Sequence, residues 1–166
     1  NLKRCSTHPL FWLQYAIASL VIKELPRAKK YFETSYSFAE KKGWWDTFQI
    51  DNHFARFLVT QTIEEDMDIK DALSNYREAW QIISRQMENA RRHHPYRVAI
   101  DFQKFLNRYG AKMTVADINE FYSTASRILK RIEELPETIK GKYVTKCKIA
   151  MKSINDQCKE LLKTLS

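Results

Sequence analysis

The stretch Ala28-Lys29-Lys30-Tyr31-Phe32-Glu33-Thr34-Ser35 decides how this chain is read. It sets a small residue, a ring four positions on, and another small residue three further. On a helix these positions share one face. Small side chains let two helices approach closely, and a ring beside them fills the remaining space. Trp12 lies sixteen residues before Ala28, at the distance of a preceding helix. The small–ring–small spacing returns at Ala72, Tyr76 and Ala79, 44 residues after the first copy.

Working outward, residues 10–22 are nearly all apolar and predict a helix buried on most sides. Thr7-His8-Pro9 reads as its start, with proline in the first turn. Leu25-Pro26 ends it and opens a second helix over 26–42, which Gly43 stops. A third follows Asp46 to about Thr62. After the acidic loop at 64–68, Asp68 is a plausible N-cap for a fourth over 69–92. Pro95 opens a fifth, closed by Gly110. Thr114 to Asp117 reads as a capping box for a sixth, to about Glu134. Leu135-Pro136 and Gly141 make a break, and a last helix covers 143–163.

The predicted fold is therefore all-α, about seven helices in antiparallel hairpins. The tryptophan–small–ring–small spacing is that of the tetratricopeptide repeat. The predicted organisation is a stacked, tetratricopeptide-like repeat array over 1–135 and a basic capping helix over 136–166. The fit is partial, because Tyr15, Ala16 and Ser19 replace the usual leucine, glycine and tyrosine. The 44-residue offset also exceeds the usual repeat of about 34, the excess being absorbed by loops. A generic helical bundle with similar apolar stripes is the alternative.

Composition agrees. Three glycines and four prolines in 166 residues exclude collagen-like and linker-rich chains, and 44% apolar residues are enough for a core. Lysine plus arginine number 28 against 20 acids, a net charge of +8. From Ile139 onward there are seven lysines against Asp156 and Glu160, so that tail holds +5 of it. Such a balance makes nucleic acid the second candidate partner, after protein. Cys5, Cys147 and Cys158 are odd in number and form no CxxC, which suits a reducing, cytoplasmic setting. Cys147 and Cys158 share a helix face and read as core thiols. The apolar run near the start resembles a signal peptide, but Gln14 and Tyr15 interrupt it and it is too short to span a bilayer. With no leading methionine, the expectation is a fragment of a longer chain and no membrane partner.

The chemistry-bearing residues are few. No glycine-rich loop offers backbone N–H groups to phosphates. No histidine pairs with a cysteine at metal-ligand spacing. No nucleophile–base pair can be named. The expectation is a non-catalytic chain without cofactor or metal. Gln49, Asp51, Asn52, His53 and Arg56 make the most polar stretch of an otherwise apolar helix. They read as a groove-facing contact set for a partner, or as an internal network that orders neighbouring helices. His94 and Arg97, flanking Pro95, read as a second contact pair or as a helix start. Trp44-Trp45 is either an exposed anchor or a plug at the hairpin end.

Three stretches carry a resemblance: residues 8–16 with 25–32, Asp46-Thr47-Phe48-Gln49-Ile50-Asp51-Asn52-His53-Phe54-Ala55-Arg56, and His94-Pro95-Tyr96-Arg97-Val98-Ala99. Together they resemble the C-terminal helical region of large bacterial STAND-type P-loop NTPases of anti-phage defence, over residues 8–135. Those proteins often carry a sirtuin-like or other effector domain. The resemblance implies a sensor whose repeats bind a viral protein, with oligomerisation supplied by the parent NTPase. This chain holds no GxxxxGK[ST] motif, so it would be the sensing end or a free-standing relative.

Overall fold

The computed structural model describes residues 6–88, 98–134 and 142–165, with side chains except at 86–88 and 142–144. Among these residues the chain is all-α. The helices are α1 Pro9–Val21, α2 Leu25–Lys41, α3 Phe48–Glu64, α4 Ile69–Glu88, α5 Val98–Tyr109, α6 Val115–Glu134 and α7 Lys142–Leu165, with a 3-10 turn at Gly110–Lys112. No strand occurs among the described residues.

Local chemistry fixes most of these boundaries. The His8 ring accepts the Leu10 N–H at 3.2 Å, with Pro9 in the first turn of α1. Asp68 accepts the Asp71 N–H at 2.9 Å at the head of α4. Thr114 and Asp117 exchange bonds reciprocally at 3.1 and 3.2 Å, so the predicted capping box opens α6. Three helices end the same way. The N–H three residues past the last helical residue bonds back five positions: Glu24 to Ser19, Trp44 to Ala39, Met67 to Thr62. Each closure needs one left-handed residue, and these are Lys23 (φ 60°), Gly43 (φ 68°) and Asp66 (φ 47°). Only the glycine adopts that conformation without a steric cost.

The chain divides into two compact units, Asn1–Phe57 and Leu58–Ser166, the division falling within α3. α7 packs against α5 and α6 inside the second unit.

In the first unit α1 and α2 form a tight hairpin. Ala16 and Ala28 are fully buried, and the buried Ser35 hydroxyl donates to the Pro9 carbonyl at 2.7 Å. That distance requires a small residue at 35. Trp12 lies on α2 as the spacing predicts, stacked with Tyr31 and Phe38 at ring separations of 5.9 and 6.4 Å. Phe32 turns elsewhere and packs on Phe54 and Phe57 of α3, at 5.6 and 5.5 Å. In the second unit Tyr76 meets Phe102, Phe105 and Phe121 at 5.2, 5.3 and 4.5 Å, between the buried Ala72 and Ala79. The Tyr109 hydroxyl lies 2.9 Å from the carbonyls of both Thr62 and Met67, tying the end of α5 to the α3–α4 turn.

Candidate functional site

The polar stretch of α3 does not form one outward-facing set. Asp51 is buried and accepts the Tyr36 hydroxyl at 2.6 Å and the Thr47 hydroxyl at 3.1 Å. It ties α2 to the start of α3, which is the internal-network alternative. Asn52 is also buried, and its Oδ1 meets no hydrogen-bond partner. Gln49 is exposed, while His53 and Arg56 are half-buried. Asp51 and Asn52 are thereby withdrawn from a docking face. His94 and Arg97 lie outside the described residues.

The tryptophan pair divides its roles. Trp44 is half-buried, its ring edge-on to His8 at 5.7 Å. Trp45 is 94% exposed. Beside them is a small cavity of about 110 Å³, lined by Leu10, Trp44, Asp46 and Gln49 among others.

Two larger surfaces stand out, one in each unit. The first is the outer side of α1. Phe11, Gln14, Tyr15, Ala18, Val21 and Ile22 recur at three- and four-residue intervals, so they make one stripe. Tyr15 is 47% exposed, Val21 75% and Ile22 63%. The helix holds no charged residue. An uncharged helix with a wet apolar stripe is unusual for a surface element.

The second is an open groove of about 770 Å³ between α7 and the end of α5 with its 3-10 turn. Leu106, Gly110 and Leu161 make its apolar floor, and Ile149, Lys152 and Asp156 stand along the α7 side. A Cβ on Gly110 would meet the Leu161 side chain at 3.0 Å, so glycine sets the approach of the turn to α7. The sequence reading missed this groove by treating the tail as a charged unit. The available signal was Ile149, an isoleucine outside the buried stripe of Cys147, Met151, Ile154 and Cys158.

Burial perturbs the thiol and the phenol of the second unit's core. Desolvation pushes the Cys158 thiol from an ordinary 9.0 to about 11 and raises the Tyr76 phenol as well. The Tyr76 hydroxyl lies near Thr124 but has no partner at hydrogen-bonding geometry. Hydrogen bonding to Glu120 raises Arg77, a surface pair. Among the described residues no three His, Cys, Asp or Glu side chains cluster to hold a metal ion. No described helix is long and apolar enough to cross a membrane.

Compared with known protein families, characterised proteins and solved structures, the chain matches none.

Proposed function

We propose that this chain is a non-catalytic protein-recognition module that docks another polypeptide on the outer face of α1. The observation that supports this reading is that face: Tyr15 and Val21 exposed on a helix with no charge, and Ile22 exposed at its C-cap. The partner that suits it is a helix or strand face equally free of charge, since an unpaired charge buried there would cost several kcal/mol. Trp45 and Gln49, both exposed in the same unit, add candidate contacts. Following the resemblance above, the reading extends to a sensing role in cytoplasmic anti-phage defence. The partner is then a viral protein, or the remainder of a STAND-type parent chain.

The nucleic-acid alternative rests on the lysines of α7. There Asp156 and Glu160 interrupt the run Lys152, Lys159, Lys163, so the face is mixed rather than a continuous track for phosphates.

The test places a photoreactive residue at Val21 in the chain expressed in its own cells. The expected result is one discrete protein adduct, lost when Tyr15→Lys is added, and absent when the probe sits at the exposed Ser37 of α2. A nuclease-sensitive adduct, or no adduct above the Ser37 control, overturns the proposal.

A further inference from the structure

We infer that the partner of the α1 face is an acidic polypeptide segment, whose apolar side chains cover α1 while its carboxylates lie over the neighbouring edge of α2. The inference rests on the α1 reading above and adds the partner's charge and orientation. What carries it is how charge is distributed around α2. Arg27, Tyr31, Thr34, Phe38 and Lys41 recur at offsets of four, three, four and three residues, so they form one stripe. The stripe borders α1, because Tyr31 and Phe38 both stack on Trp12, and Tyr31 meets Tyr15 at 5.5 Å. Phe11 joins the same rings, 5.3 Å from Trp12 and 5.2 Å from Tyr15. None of these five rings is buried, so the apolar face of α1 continues as a shelf of rings onto the edge of α2.

The charges along that edge are cations. Arg27 is matched by Glu24 at 2.7 Å. Lys41 and Lys30, one turn before Thr34, are in no ion pair among the described residues. The other carboxylates of the first unit lie elsewhere. Glu33 and Glu40 each follow a ring by two positions, about 200° round the helix and away from α1. Asp51 is buried against Tyr36 and Thr47, and Asp46 accepts the Phe48 N–H at the head of α3.

The Lys41 ammonium sits 5.1 Å from the centre of the Phe38 ring. A segment that covers the rings therefore covers this ammonium too. Burying it without a counter-charge is costly, and a carboxylate over it offsets that cost while fixing which way round the segment lies. From Arg27 to Lys41 is fourteen residues, about 21 Å at 1.5 Å per residue. A nucleic-acid strand, with a phosphate about every 3.4 Å, would set about six negative charges along that length against two unmatched lysines. A polypeptide edge carrying a few carboxylates suits the count better.

The Val21 photoadduct supplies the probe. Its partner segment, mapped by mass spectrometry and made as a labelled synthetic peptide, is titrated with the full chain by fluorescence anisotropy. The expected segment carries carboxylates along one edge of its apolar stripe. Its affinity should fall at least about fivefold for K30E/K41E, and less for K30Q/K41Q. It should stay within about twofold for E33K/E40K, the reversal on the far side of the same helix. Replacing the peptide's carboxylates by amides should reproduce the loss. All four positions are exposed, circular dichroism checks that each variant folds, and the glutamine pair serves if the glutamate pair does not. A mapped segment without carboxylates overturns this inference and leaves the α1 reading standing. So does one indifferent to both lysine pairs, or equally sensitive to the far-side reversal. A Val21 probe that captures no polypeptide, or captures nucleic acid or lipid, overturns the α1 reading and this inference with it.

Discussion

The two units apply one spacing to different neighbours. In the first, Ala28, Phe32 and Ser35 bring α1 onto α2, and Phe32 then turns to the rings of α3. In the second, Ala72, Tyr76 and Ala79 put one ring among three from α5 and α6. The small positions also differ, since Ser35 adds a hydrogen bond to Pro9 while Ala79 offers only its size. Local spacing fixes that a ring goes inward and that a neighbour comes close. Which rings it meets is decided by the elements that follow in the chain.

The largest way to break this comparison is to remove the rings. Phe32→Ala and Tyr76→Ala should each cost about 3–5 kcal/mol in urea denaturation, since both side chains are fully buried. The conservative Tyr76→Phe sharpens it. The Tyr76 hydroxyl is buried without a hydrogen-bond partner, so its loss should be neutral or slightly stabilising. A cost near that of Tyr76→Ala would show the hydroxyl, rather than the ring, to hold the second unit.

A smaller effect separates the two small positions. Ser35→Ala keeps the close approach and leaves the Pro9 carbonyl without the hydroxyl, so about 1 kcal/mol should be lost. At Ala79 no such bond exists to lose, and Ala79→Gly should show only the helix-propensity cost of glycine, about 1 kcal/mol. Similar magnitudes then have different origins, and Ser35→Gly, which removes bond and propensity together, should cost about twice Ser35→Ala.

A further effect is confined to alkaline pH. Burial raises Cys158 above its unfolded value of 9.0, to about 11. The native state therefore holds that proton more tightly than the unfolded chain. The resulting stability is complete below pH 9 and declines as pH rises through 9 to 11. Cys158→Ala should flatten that part of the stability–pH curve, and Cys158 should resist thiol reagents at neutral pH until the chain unfolds.

Much of the fold was legible because its signals are local. Proline at Pro9 and Pro26, the Asp68 cap and the Thr114–Asp117 box each mark a helix end within a few residues of sequence. Gly43 was legible as a stop for the same reason. Lys23 and Asp66 were not, although they close helices with the same geometry, because nothing in a lysine or aspartate announces a left-handed backbone. The candidate site was less legible still. Asp51 read either as a partner contact or as part of an internal network, and what decides between them is Tyr36, fifteen residues earlier, which reaches it. The α7 groove depends on Gly110 and Leu161 meeting across fifty-one positions, which no local pattern records.

The central claim is that the inner side of the α1–α2 hairpin holds the fold while the outer side of α1 is spare and open to a partner. Urea denaturation of two variants tests it most directly. Ala28→Leu forces a larger side chain into the buried contact and should cost about 1–3 kcal/mol. Val21→Lys alters a side chain that is 75% exposed and should leave stability within about 0.5 kcal/mol of the original. If Val21→Lys costs as much as Ala28→Leu, the outer face belongs to the chain's own core and the docking surface is contradicted.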